Sequence, residues 1–137
     1  MDKKDLKERL KQLAIRTAWL CIKLPQILIN KVYTGQLLRC SSSSASNYRA
    51  ACRGKSKADF INKLRIVEEE LDESMFFYEM LAEFNLDSKN ELRELYKEAD
   101  QLLSIIVASI NTANANIENE RLRKKSEIAN LKSKISE

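Results

Sequence analysis

Residues Gln36–Phe84, QLLRCSSSSASNYRAACRGKSKADFINKLRIVEEELDESMFFYEMLAEF, decide the fold. They read as two long helices joined by one tight turn. Gly54 stands where the first helix ends, a position that glycine favours because the left-handed closing conformation carries no Cβ penalty. Ser56 then starts the next helix: its hydroxyl can accept from a free backbone N–H of the first turn, and Asp59 can reach back in the reciprocal arrangement. A turn confined to about Arg53–Lys55 makes the two helices antiparallel neighbours.

Before that turn lies SSSSAS, which by composition alone also fits a flexible linker. Leu37, Leu38, Tyr48, Ala50, Ala51 and Cys52 flank it without glycine or proline, so the run is expected to be helical with a small-residue face. Gln36, Cys40, Ser43, Asn47 and Ala50 fall at alternating spacings of four and three, one stripe; Tyr33, Leu37, Ser44, Tyr48 and Ala51 form its neighbour. After the turn, Phe60, Leu64, Val67, Leu71, Met75, Tyr78 and Ala82 repeat with helical period. A second stripe, Glu70, Glu73, Phe77, Leu81 and Phe84, sets two carboxylates among apolar neighbours.

Outward from this hairpin, Leu6, Leu10, Leu13, Thr17, Leu20 and Leu24 form a bundle seam in a first helix that Pro25 ends. Trp19 lies off the seam and is expected to pack on the second helix or a subunit neighbour. Past Phe84, Asn-Leu-Asp-Ser makes another turn, with Ser88 and Glu91 as a capping box. A fourth helix follows on Leu92, Leu95, Ala99, Leu102, Ile106, Ile110, Ala113 and Ile117. These signals predict an all-α, antiparallel up-and-down four-helix bundle over residues 1–113, with helices at about 4–24, 31–53, 56–84 and 88–113. Residues 114–137 thin into a helical extension or flexible tail, with a short coiled-coil or docking segment as its alternative.

The 137 residues suit one domain, and one proline and two glycines leave long helices little interrupted. No run is long and apolar enough for a membrane span, and no signal-peptide pattern opens the chain, so a cytoplasmic protein is expected. Cys21, Cys40 and Cys52, odd in number and without CxxC spacing, fit buried thiols of a reducing compartment. Histidine is absent. Zinc, haem and His-based acid–base chemistry are therefore disfavoured, and neither a metal, a cofactor nor a catalytic residue is assigned.

Charge separates along the chain. Residues 1–57 carry 13 Lys/Arg against 3 Asp/Glu, residues 58–100 carry 5 against 13, and residues 101–137 carry 6 against 4. Basic and acidic helices can simply pair within or between bundles. Alternatively Arg49, Arg53, Lys55 and Lys57, with Arg39 one helical stretch earlier, form a phosphate-binding rim. Glu70 and Glu73 are read as acceptors for Ser43, Asn47 or Arg49 in a buried polar layer that fixes helix register. The breadth of apolar side chains at Phe76, Phe77, Tyr78, Met80 and Leu81 exceeds one core and predicts self-association.

The motifs S-x-x-x-N-Y-R-x-A (Ser43, Asn47, Tyr48, Arg49, Ala51), R-x-K-S-K-A-D-F-x-x-K-L (from Arg53 to Leu64) and E-x-x-E (Glu70, Glu73) resemble the 23S ribosomal-RNA intervening-sequence family of bacterial four-helix bundles. The chain departs from that pattern at Ala50, where the family usually carries a glutamate. The resemblance implies a homopentamer without established enzymatic activity. A more distant similarity, to the accessory variability determinant proteins of diversity-generating retroelements, implies work with a reverse transcriptase and its RNA. The functional expectation is a non-enzymatic, RNA- or DNA-binding accessory protein with a basic rim; its alternative is a protein–protein scaffold, such as an accessory subunit of a reverse transcriptase.

Overall fold

The computed structural model describes residues 1–136 as four helices: α1 (Lys3–Lys23), α2 (Leu28–Ala51), α3 (Lys57–Phe84) and α4 (Lys89–Ser136), with a 3-10 turn at Leu86–Ser88 before α4. There is no strand among the described residues. Consecutive helices pack on one another and α4 closes back on α1, the ring of contacts of an up-and-down bundle, with α2 against α3 the most extensive pair. The seam of α1 is buried along its whole length, from Leu6 to Leu24, as are Leu64, Val67, Leu71, Met75 and Tyr78 of α3 and Leu92 to Ile110 of α4.

The serine run is helix. Within α2 the core face is Leu37, Cys40, Ser41, Ser44, Tyr48 and Ala51, so small side chains let the α3 backbone come close. The stripe through Gln36, Ser43 and Asn47 lies at the edge of that face rather than in it, and Asn47 Nδ2 donates back to Ser43 O and Oγ, both at 2.9 Å. A diagonal bond crosses the centre. Thr17 Oγ1 gives its hydrogen to Leu13 O at 2.7 Å, so the Tyr78 hydroxyl donates to Thr17, also at 2.7 Å. Burial pushes the Tyr78 phenol well above its ordinary range.

Three local readings need correction. Gly54 does not take a left-handed conformation, since no residue among those described has positive φ. Instead α2 tightens into i→i+3 bonds, Arg53 N to Ala50 O and Gly54 N to Ala51 O, and a Cβ at Gly54 would sit 3.1 Å from Ala51 O. Closeness, not handedness, selects glycine there. Ser88 makes no side-chain cap bond among the described residues, because it is absorbed into the 3-10 turn; Glu91 reaches Lys23 Nζ of α1 at 2.7 Å rather than back along α4. Helix α2 starts at Leu28, three residues early, because Asn30 is held from both sides: its Nδ2 donates to Pro25 O and Asn85 Oδ1, and Asn85 Nδ2 donates to Asn30 Oδ1 and Leu81 O. Half of the Ser56 capping box stands: Asp59 N donates to Ser56 Oγ at 3.1 Å, while the Asp59 carboxylate makes no return bond to Ser56 N among the described residues.

Helix α4 does not stop with the bundle. It continues unbroken to Ser136, and from Arg121 onward every described residue is exposed.

Candidate nucleic-acid interface

The up-and-down order brings the start of α1, the end of α2 and the start of α3 to one end of the bundle, and α4 runs out past that end. Along the α1–α2 face there, a groove of about 670 Å³ is lined by Lys4, Lys7, Lys11, Arg49 and Arg53, with a single acid, Glu8. The rest of its lining is Ala14, Ile15, Ala18, Ser42, Ala45 and Ser46, short side chains apart from the isoleucine. None of the five cations makes an ion pair among the described residues. The spacing of Lys4, Lys7 and Lys11, three then four, puts them on one face of α1. That periodicity was available in the sequence, yet only the bundle shows that this face adjoins Arg49 and Arg53.

The remaining members of the expected rim are divided. Lys55 and Lys57 lie around the corner, in a hollow of about 380 Å³ with Lys3, Gly54, Phe60 and Ala113. Lys57 pairs with Glu120 of α4, whose carboxyl it holds below the usual range. The ammonium of Lys3 sits 4.7 Å from the Phe60 ring centre. Arg39 is away from this end altogether. Its guanidinium forks onto Glu70 at 3.2 Å and Glu73 at 2.6 Å, and the bond to Glu73 raises the arginine's pKa further.

That fork also corrects the expected polar layer. Glu70 and Glu73 receive Arg39 rather than Ser43, Asn47 or Arg49, and they are half-buried at the edge of the α2–α3 seam, because helix α2 turns Ser43 and Asn47 toward each other along its own edge. The polar groups that are buried are Thr17, Asn30, Ser41, Ser44, Ser74 and Asn85. Cys40 Sγ comes within 4.8 Å of both carboxylates, the one metal-like grouping among the described residues. Ser74 Oγ donates to that sulfur at 3.1 Å, burial raises the thiol's pKa, and the Arg39 cation already occupies the carboxylates. The cluster is an α2–α3 register lock.

At the opposite end the surface is apolar. Trp19 and Ile22 of α1 and Leu28 and Val32 of α2 are 65%, 68%, 77% and 54% exposed, and Phe76, Phe84 and Leu86 add to the same half of the molecule. Tyr33 stacks obliquely on Phe77 and Phe84, with centroids 5.9 and 6.3 Å away. Trp19 is therefore mostly uncovered by its own bundle.

Residues 4–108 match the 23S rRNA-intervening sequence protein family. The chain belongs to that family. Among solved structures it is similar to a protein of unknown function from the S23 ribosomal protein family of Bacteroides thetaiotaomicron, at 25% identity and a TM-score of 0.70, over 81% of this chain and 99% of that one. No curated protein matches. The intervening-sequence family match thus spans α1 to the middle of α4 and includes the whole groove, whereas the far part of α4 lies outside it. The departure at Ala50 falls on the exposed side of α2, where a missing glutamate leaves no buried partner behind. No helix among the described residues is long and apolar enough to cross a membrane.

Proposed function

We propose that the protein is a non-enzymatic accessory protein that binds RNA through phosphate contacts at the basic end of its bundle. The observation that carries this reading is the groove between α1 and α2: five cations and one acid, Glu8, line it around Ile15 and small alanine and serine side chains, and none of the five cations forms an ion pair among the described residues. Structural lysines and arginines in this chain look different. Arg9, Arg39 and Lys57 each hold a carboxylate of another helix, Glu98, Glu70 with Glu73, and Glu120. A groove of unpaired charge attracts polyanions and releases their counterions on binding. Nothing in it reads bases, so recognition rests on backbone and shape.

The test is a titration of the full chain against structured RNA and duplex DNA at several salt concentrations, alongside a variant carrying Lys7→Gln, Lys11→Gln, Arg49→Gln and Arg53→Gln. The expected result is a steep fall of log affinity with log salt, and a slope smaller by about 3 in the variant, since each lost phosphate contact removes roughly 0.7–0.9. A response that is flat in salt, or unchanged in the variant, rejects the reading and turns attention to a protein partner such as a reverse transcriptase.

A second reading concerns assembly, and the exposed apolar end favours it. Trp19 and Ile22 near the end of α1 and Leu28 and Val32 near the start of α2 are large apolar side chains left exposed toward one end of the bundle, the kind of surface that a protein neighbour covers. We propose that this end meets another copy of the chain in a closed homo-oligomer, the pentamer that the family resemblance implies.

A further inference from the structure

We infer that the part of α4 beyond the bundle, residues 121–136, is a second phosphate-binding element: an arm that continues the RNA interface outward from the basic end. This rests on the RNA reading above. Six cations and one acid occupy these residues. Arg121 is tied to Glu118 and Arg123 faces Glu127, but Lys124, Lys125, Lys132 and Lys134 make no ion pair among the described residues.

Placement matters as much as charge. The arm leaves the bundle beside the α2–α3 turn, where the Lys57–Glu120 pair fixes its base, so its cations follow directly on Arg53 and Lys55 rather than forming a remote tail. At 1.5 Å per residue it reaches about 24 Å from that turn. Glu118 and Glu120, the acids that would oppose a polyanion at the base, are both engaged by cations, which hold their carboxyls below the usual range.

The arm has no packing of its own. An isolated helix of this length is marginal in water, and this one persists because it propagates from a bundle-held helix and so needs no new nucleus. Binding a polyanion along it would relieve the mutual repulsion of its lysines. The family match ends at residue 108, so the arm is an addition to the shared bundle rather than part of it.

Three proteins decide the matter: the full chain, the groove variant described above, and a full-chain arm variant with Arg123→Gln, Lys124→Gln, Lys125→Gln and Lys132→Gln. All four arm positions are exposed, so the variant is expected to fold, which its melting curve checks. Against a 20-base-pair RNA duplex, the arm variant is expected to bind roughly 10- to 100-fold more weakly near 0.1 M salt, with a salt slope lower by about 3. If the arm variant binds as the full chain does while the groove variant is weakened, the arm inference fails and the groove reading survives. If the full chain shows no salt-dependent binding, both fall. Light scattering supplies the remaining outcome: Ile128, Leu131 and Ile135 share one face of the arm, and a drop in mass on Leu131→Glu with RNA affinity unchanged would make it a self-association seam instead.

Discussion

The two ends of this bundle are built from different chemistry. At the end formed by the α1–α2 and α3–α4 connections, Asn30 and Asn85 exchange side-chain amide hydrogen bonds, each donating both amide hydrogens, and apolar side chains cover the outside. At the other end the connection is a three-bond turn with a single serine cap, and the outside is lysine and arginine. The first end spends its polar groups on holding two connections together. The second leaves its five groove cations unpaired among the described residues. An end that is locked internally and apolar externally suits permanent contact with protein, whereas an end of unpaired cations suits a soluble polyanion that comes and goes.

The largest expected effect breaks the lock. Asn85→Ala removes one partner of a buried, reciprocal pair and leaves the Asn30 amide without the acceptor and donor it faces, a loss of about 2–3 kcal/mol and a fall in Tm on the order of 10 °C. Chemical denaturation of the variant checks it. If the loss is no more than a few tenths, the pair is not what holds the two connections, and the contrast between the ends reduces to surface composition.

The two glycines sharpen the same contrast with effects of opposite sign. Gly35 lies within α2 with no atom within 4 Å of where a Cβ would stand, so Gly35→Ala is expected to stabilise the protein by about 0.5–1 kcal/mol through helix propensity. At Gly54 the added Cβ would press on Ala51 O at 3.1 Å and face Phe60 N at 3.4 Å, and that carbonyl is already fixed by accepting Gly54 N. Gly54→Ala is therefore expected to cost about 1 kcal/mol. Paired melting curves decide; stabilisation by both changes would show that the turn at the basic end can yield.

Much of this architecture was legible because helical period and punctuation are local properties. The leucine seam of α1, the alternating stripe of α3 and the Ser56 cap need nothing beyond their own sequence neighbourhoods, and the serine run follows from what flanks it. What escaped was long-range. The groove depends on which faces of α1 and α2 meet, so Lys4, Lys7 and Lys11 carried no signal until the helices were placed. The partner of Glu70 and Glu73 is Arg39, two to three turns before Asn47 and Arg49 on α2, because the stagger of α2 against α3 is a long-range property that neither helix's own pattern states. Arg39, counted with the rim by charge alone, belongs to that stagger.

The smallest expected effect on stability concerns the apolar end, and it separates folding from assembly. Trp19 is 65% exposed and its ring lies outside the core that Leu20, Cys21 and Leu24 build beside it. Trp19→Glu, alone or with Ile22→Glu, leaves that core intact, so the folding free energy of the single chain is expected to move by no more than about 0.5 kcal/mol. If this end contacts another copy, the same substitution places a carboxylate in an apolar interface and the mass in solution drops to that of the monomer, because a desolvated, unpaired charge outweighs the apolar contacts around it. RNA affinity per chain would then fall as well, since a closed ring presents several grooves to one polyanion and a monomer only one. Unchanged mass with unchanged melting would leave the apolar end exposed in the working protein, and the contrast between the ends would have to be explained by a different partner on that side.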